Sequence, residues 1–247
     1  MLHLLDELEA AEGRATSLYI PHDLPVLDAE KALRVPLGPG IEEAMPDIAD
    51  AIAHSKTGGV IFWGEENKYL VLPPFPFEEK LFASGCDVEP LRELLQQERI
   101  VALILLRLGA YAVGVFQGEK LLSSKVGTGL VHSRHRQGGS SAHRFERHRD
   151  KQIESFFTRV CTHVQERLEP YRLDYVIYGG ERHTVLSFRK QCEFLRQFDG
   201  RTLQRQLNVR EPKQAMLEAA ISQVWSSEVV EWEDDETKVT YPDKGDF

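Results

Sequence analysis

The sequence predicts an α/β (α+β) protein of two domains, from three observations. A chain of 247 residues is long enough for one large domain or two ordinary ones. Strand-like and helical apolar patterns alternate along it. A helical pattern over 88–98 is followed at once by three strand-like runs joined by short turns, which predicts a domain boundary near 97. We therefore expect a first domain over 1–97, a second over 98–228 and an acidic, flexible tail over 229–247.

The first domain combines helices with a hairpin. Leucines at helical spacing predict a helix that stops at Gly13, and a strand is expected over Thr16 to Ile20. Ile41 to His54 has an apolar helical face. Two strand-like runs, 60–63 and 68–72, predict a hairpin. The stretch 31–40 contains Pro36, Gly38 and Pro39, so it is expected to be loop.

The second domain begins as an antiparallel meander. Its strands are expected over 100–106, 111–117 and 120–126. A long helix follows from about His143, with an apolar stripe that ends before Pro170. Further along the chain, the patterns predict a strand over 175–178, a helix over 185–198, a possible strand over 203–209 and a helix over 213–224.

Composition and cysteine spacing favour a folded protein and argue against a membrane span and a cysteine-based metal site. The hydrophobic fraction of 42% indicates a folded chain, and no apolar stretch approaches the roughly 20 residues that a membrane span needs. The acidic, amphipathic N-terminus does not resemble a signal or transit peptide. Cys86, Cys161 and Cys192 are far apart and in no metal-like spacing, with Cys161 expected to pack in a core. A reduced, cytoplasmic location is predicted.

The stretch from Gly127 to Lys151 is basic, although the chain as a whole is acidic. It contains six basic and two acidic side chains, a formal +4 on a chain of net charge −9, and four of the nine histidines. Such a local patch indicates a polyanionic partner, with RNA as the first candidate. A solvated helix face paired with Glu146 and Asp150 is the alternative interpretation of its later residues. The residues that we assign to RNA binding are Arg134, His135, Arg136, Arg144, Arg147, Arg149 and Lys151.

The same stretch carries a family pattern. Residues 134–149 read RHRQGGSSAHRFERHR, which resembles the loop and helix start of the middle domain of eukaryotic and archaeal class I peptide-chain release factors. In that family the loop carries Gly-Gly-Gln, followed by Ser-Ala and an Arg-Phe-x-Arg-x-Arg run. Residues 111–129 and 175–180 resemble the strands around that loop, and residues 1–97 resemble the stop-codon-reading N-terminal domain. The resemblance implies an N-domain-like unit followed by a middle-domain-like mixed sheet with flanking helices.

Two departures from the family change the expected function. The Asn-Ile-Lys-Ser motif that reads codons is not found, so we expect no stop-codon decoding. The chain ends after the middle domain, so we expect no GTPase-recruiting domain and no GTPase partner. A protein of this kind resembles the bacterial relatives of the ribosome quality-control peptidyl-tRNA hydrolases. That resemblance implies the large ribosomal subunit and peptidyl-tRNA as partners, ribosome rescue as the setting, no cofactor and no membrane.

A third departure lies in the loop itself. Ser140 occupies the position of the family's glutamine, or Ser141 does when the loop is aligned on the Gln-Gly-Gly-Ser-Gln of the quality-control relatives. The catalytic candidates are therefore Gln137, Gly138, Gly139, Ser140 and Ser141. A non-catalytic ribosome- or tRNA-binding factor is the alternative. A metal-dependent nuclease that uses the histidines of this stretch is a third hypothesis.

Overall fold

The computed structural model describes residues 1–10, 14–23, 25–33, 35, 37–38, 40–65, 67–131, 142–207, 209–232 and 239–242. They fall into two compact units, residues 1–97 with 225–247, and residues 98–224. Each unit has one β-sheet with helices packed on it, so the predicted α/β class is confirmed. No helix among the described residues is both long and apolar enough to cross a bilayer.

The first unit contains four helices and four of the strands of its sheet before residue 98. In chain order they are α1 (Leu2–Ala10), β1 (Ala15–Ile20), α2 (Val26–Ala32), α3 (Ile41–His54), β2 (Gly59–Gly64), β3 (Lys68–Leu72), β4 (Leu81–Ser84) and α4 (Glu89–Gln96). β2 and β3 form the predicted hairpin. Helix α2 and strand β4 were not predicted, since α2 is only seven residues long and three of the four residues of β4 are exposed.

The core of the first unit lies between the sheet and α3. Leu18, Ile61 and Leu70 on the sheet pack with Ile48 and Ile52 of α3, all fully buried. Strand residues alternate between the faces of a sheet, so Tyr19 points away from this core. There its ring meets the ring of Phe77 edge-on, with 5.0 Å between the ring centroids. The interior strand β1, which lies between β2 and β4, is therefore buried on both faces.

The second unit is built on a mixed sheet. Its elements are β5 (Ile100–Arg107), β6 (Ala110–Gln117), β7 (Lys120–Thr128), α5 (Ala142–Leu168), β8 (Tyr175–Gly180), α6 (Arg182–Gln191), a 3₁₀ helix (Glu193–Arg201), β9 (Thr202–Leu207) and α7 (Gln214–Trp225). The strand order is β7-β6-β5-β8-β9. The predicted meander β5-β6-β7 is antiparallel, whereas β8 pairs in parallel with β5 and β9. The predicted helix over 185–198 is in fact two elements, because α6 ends at Gln191 and a 3₁₀ helix follows.

Helix α5 covers one face of this sheet with the apolar stripe that the sequence predicts. Phe156, Phe157, Val160, Val164 and Leu168 are all buried in one core cluster with alternate residues of β5 and β6. The opposite face is covered by α7. Leu217 of α7 lies 3.3 Å from the position that a Cβ on Gly114 of β6 would occupy. The sheet is thus the middle layer between helices.

The last strands of the chain return to the first unit's sheet. They are β10 (Glu228–Glu231) and β11 (Val239–Pro242), and the sheet order is β11-β10-β3-β2-β1-β4. β10 pairs antiparallel with β3, and Tyr69 donates a hydrogen bond of 2.8 Å to Glu231 Oε1. Trp232 lies against Trp63, with 6.1 Å between the ring centroids. The prediction that the chain is a flexible tail from 229 is therefore wrong for the residues of β10, because backbone pairing and tryptophan packing hold them.

Two of the three cysteines form a disulfide. Cys161 of α5 is bonded to Cys192, which directly follows α6, and their Cα atoms are 5.5 Å apart. The cysteine spacing did not predict this bond. The two residues are brought together because α5 and α6 pack side by side, with the rings of Phe157 and Phe188 5.6 Å apart. Cys86 in the first unit remains a free thiol whose pKa is raised by burial.

Candidate functional site

The loop predicted to carry the chemistry joins β7 to α5. Its residues 132–141 lie outside the described residues. The structure describes the two stems of this loop. One stem is β7 with the residues that follow it up to Val131, and the other is α5 from Ala142. The predicted residues that fall outside the described part are Arg134, His135, Arg136, Gln137, Gly138, Gly139, Ser140 and Ser141.

The β7 stem is fixed by close packing of two glycines. The amide of Gly129 donates a hydrogen bond of 2.9 Å to the carbonyl oxygen of Gly109. A Cβ on Gly127 would overlap the phenol ring of Tyr111, and a Cβ on Gly129 would lie 2.7 Å from the ring of Phe156. The sequence supplies glycine where the end of this edge strand passes directly over two aromatic rings.

Arg159 ties the two stems together. Its Nη2 donates a hydrogen bond of 3.2 Å to the carbonyl oxygen of Thr128, the last residue of β7. Its guanidinium carbon lies 5.9 Å from the centre of the Phe156 ring, a cation–π distance. The absence of a side chain at Gly129 leaves room for this guanidinium. The arginine is exposed, so its remaining N–H groups are left to face solvent.

A second link between the stems is made by Tyr111 of β6 and His163 of α5. The tyrosine hydroxyl shares a hydrogen bond with Nδ1 of His163, and the two rings stack with 5.7 Å between their centroids. Tyr111 itself is 1% exposed. Burial raises the pKa of its phenol, and the nearby Arg159 lowers it in part. The hydroxyl therefore stays neutral at physiological pH.

Replacing Tyr111 with phenylalanine tests this link. We expect Tyr111→Phe to lower the free energy of unfolding by about 1 kcal/mol, because a partly buried hydrogen bond is lost while the ring is kept. Urea denaturation followed by circular dichroism measures the change. The matched control is Tyr171→Phe, a partly buried tyrosine of the same unit whose hydroxyl makes no hydrogen bond with any described residue. Equal losses in both variants would contradict the role given to the His163 contact.

The basic residues at the start of α5 differ in their environment. Arg147 and Lys151 are exposed and make no ion pair with the described residues, whereas Arg149 is partly buried. Residue 144 lies within α5, but its side chain is outside the described part. The structure therefore brings two predicted RNA-binding side chains, Arg147 and Lys151, to the solvent face of the helix.

An open groove runs along this face of α5. It has a volume of about 590 Å³. Glu154 is the only carboxylate in its lining, against the two permanent cations of Lys151 and Arg159. The part of this lining beyond Lys151 was not predicted from the sequence, although helical spacing from Lys151 indicates these residues. The lining residues are Lys151, Glu154, Ser155, Thr158, Arg159, Thr162 and His163.

The side chains of most histidines on which the metal-dependent nuclease hypothesis depends lie outside the described part of the chain. Of the four histidines of the basic stretch, only the side chain of His148 is described, and it is exposed. Its Nε2 lies 3.3 Å from Nε2 of Gln152, one turn along α5. Within the described residues there is no group of three His, Cys, Asp or Glu side chains that could hold a metal ion.

Comparisons with known proteins agree with the release-factor resemblance. A family model described as the Actinobacteria/Chloroflexi VLRF1 release factor matches residues 99–230. The peptide chain release factor subunit 1 of Archaeoglobus fulgidus is 30% identical over 216 residues, which cover 74% of this chain and 53% of that protein. The corresponding protein of Thermococcus sibiricus is 27% identical over 219 residues, covering 74% and 52%. The chain spans about half the length of these curated relatives.

Two solved structures resemble this chain at low TM-score and low sequence identity. The archaeal translation termination factor aRF1 has a TM-score of 0.39 and 18% identity, with 91% of this chain and 71% of that chain covered. Archaeoglobus fulgidus Pelota has a TM-score of 0.32 and 10% identity, with 87% and 64% covered. The matched family region begins one residue before β5 and contains both stems of the candidate loop. Because this family model covers more than half of the chain, the protein belongs to the VLRF1 release factor family.

Proposed function

We propose that this protein hydrolyses the ester of peptidyl-tRNA on the large ribosomal subunit, in ribosome rescue or quality control. The observation that carries the proposal is the position of the family pattern. The diglycine stretch joins β7 to α5, and the two described stems of this loop are tied together by Arg159. Beyond the loop, α5 extends over 27 residues with Arg147 and Lys151 exposed. This arrangement suits a loop that is carried on a rigid, positively charged support.

The proposed reaction is an ester hydrolysis with water as the nucleophile. The water oxygen forms a bond to the carbonyl carbon, and the bond from this carbon to the 3′ oxygen of the terminal ribose breaks. One proton of the water passes to the ribose oxygen, which yields a peptide carboxylic acid and a tRNA with a free 3′ hydroxyl. Such an ester is already activated, so the protein needs mainly to place the water and to stabilise the oxyanion. No cofactor is required for these two tasks.

We assign to Gly138 and Gly139 the backbone conformation that lets the loop approach the ester closely. Glycine tolerates positive φ and lets a backbone approach a ligand where any Cβ would clash. Backbone N–H groups ahead of a helix N-terminus favour a developing negative charge. The polar group that orients the water is Gln137, Ser140 or Ser141. Arg134, His135, Arg136, Arg144, Arg147, Arg149 and Lys151 would hold RNA phosphates.

The direct test is turnover on a defined particle in the cytoplasmic setting that we propose. Purified protein is incubated with large subunits that carry labelled peptidyl-tRNA, and both peptide and tRNA are followed. We expect free peptide together with full-length tRNA. Shortened tRNA would instead support the nuclease hypothesis, whereas intact peptidyl-tRNA would overturn the proposed activity.

A non-catalytic binding factor is the second candidate function, and the loop sequence favours it at one point. Neither Ser140 nor Ser141 supplies the glutamine that the family pattern has there. The two functions make the same prediction for binding, because both need contacts to phosphates and both give an affinity that falls with salt. They differ in turnover. Particle binding that depends on salt, without release of peptide at saturating protein, would establish the binding factor.

A further inference from the structure

The solvent face of α5 carries a stripe of basic and hydroxyl side chains that continues well beyond the predicted basic stretch. Starting from Arg147, residues follow at intervals of three or four, a spacing that places them on one helix face. Phe156, Val160 and Val164 lie on the other face, in the core. The members of the stripe, all exposed, are Arg147, Lys151, Ser155, Thr158, Arg159 and Thr162. Glu154, also exposed, lies on the same face and is the one acidic side chain in the groove lining.

The stripe has a defined end. Glu166 follows Thr162 by one helical turn on the same face and is exposed, so the basic character stops there. From Arg147 to Arg159 the stripe extends over roughly 18 Å at 1.5 Å per residue. The groove of about 590 Å³ occupies its second half. This positive face is a local feature, because the whole chain has a formal charge of −9.

Two of the groove's side chains are held in place before any ligand binds. Arg159 is anchored to the carbonyl oxygen of Thr128, and His163 to the hydroxyl of Tyr111. An anchored arginine loses less side-chain freedom when it binds, and its planar guanidinium still offers several N–H donors to a phosphate. Lys151 adds a flexible point charge at the other end of the groove. Such a pair can contact a polyanionic strand at two separated points.

From these features we infer that the α5 groove binds the phosphate backbone of large-subunit ribosomal RNA. This inference rests on the proposed function, in which the loop tip reaches the end of a peptidyl-tRNA. Lys151 already lies ten residues beyond the loop, and Arg159 lies a further eight residues along the helix. With the tip at the end of the tRNA, the flank of α5 faces the walls of an RNA-lined cavity. The groove therefore contacts ribosomal RNA, and the tRNA contact belongs to the tip.

The test measures binding to vacant large subunits that carry no tRNA. The double variant Lys151→Gln/Arg159→Gln should bind these particles at least about tenfold more weakly than the wild-type protein, because two charge-assisted contacts are lost. The slope of log affinity against log salt should fall in magnitude by about two. The control is Lys120→Gln/Arg172→Gln, which removes the same charge from exposed positions of the same unit that are outside the groove. We expect this control to bind as the wild-type protein does.

Three outcomes would overturn the inference. One is equal affinity and salt slope for the groove variant and the wild-type protein. Another is an equally large loss of binding in the control variant, which would show that the loss comes from the change in net charge alone. The third is a groove variant that weakens binding only to particles loaded with tRNA, which would assign the groove to tRNA. Sedimentation binding does not require hydrolysis, so a failure of peptide release leaves this result interpretable.

Discussion

Replacing Gly180 with alanine is expected to destabilise the second unit severely. Gly180 ends β8 with φ +116°, a region that residues with a Cβ rarely adopt. An added Cβ would overlap the carbonyl oxygen of Leu106 and lie 3.0 Å from its carbonyl carbon. These are backbone atoms of the neighbouring β5, so no side-chain rotation can relieve the clash. We expect the free energy of unfolding to fall by roughly 3 kcal/mol or more.

A second glycine of the same unit provides the matched control. Gly118, in the turn between β6 and β7, has φ +57°, and a Cβ placed there would meet no atom within 4 Å. Gly118→Ala should therefore cost only the conformational strain, about 1 kcal/mol. Comparing the denaturation curves of the two variants separates the cost of a positive φ from the cost of the steric overlap at Gly180. Equal losses would show that Gly180 is not packed against Leu106 as described.

Reduction of the disulfide is expected to have the second large effect on stability. Cys161 and Cys192 are separated by 31 positions, and their bond limits the freedom of the unfolded chain over that loop. By the chain-entropy estimate, a loop of this length contributes about 3 to 4 kcal/mol. The bond links α5, which leads from the candidate loop, to the end of α6. We expect reductant to lower the denaturation midpoint of the second unit by a corresponding amount.

Thiol titration and a double variant complete this experiment. The native protein should show one reactive thiol after unfolding without reductant, that of Cys86, and three after reduction. The variant Cys161→Ser/Cys192→Ser should unfold at the same midpoint with and without reductant. Three thiols in the protein before reduction would contradict the disulfide. Disulfides are rare in the cytoplasm, which is the setting that we propose, so activity should be measured in both redox states.

Local patterns in the sequence predicted the elements that are regular and long. The apolar stripe of α5 is buried as its spacing indicates, from Phe156 to Leu168. The β5-β6-β7 meander was predictable because its turns carry Gly109 and Gly118, both at positive φ in the structure. In these segments the local preference and the tertiary packing agree, so the sequence alone was sufficient.

What the sequence did not predict depends on contacts between distant residues. β10 has only four residues, two of them glutamates, and its stability comes from pairing with β3 far away in the chain. The disulfide requires α5 and α6 to lie side by side, which no spacing of cysteines reveals. Within the candidate site, Arg159 and His163 were missed because their partners, Thr128 and Tyr111, come from β7 and β6.

The most direct measurement compares peptide release by the wild-type protein with release by Gly139→Ala on large subunits that carry peptidyl-tRNA. We predict release by the wild-type protein and a roughly 100-fold slower rate for Gly139→Ala, because a displaced loop no longer places the water at the ester. Gly200→Ala, at an exposed site where a Cβ would meet no atom within 4 Å, should release peptide at the wild-type rate. An unchanged rate in Gly139→Ala, or no release by the wild-type protein, would contradict hydrolysis through the diglycine loop.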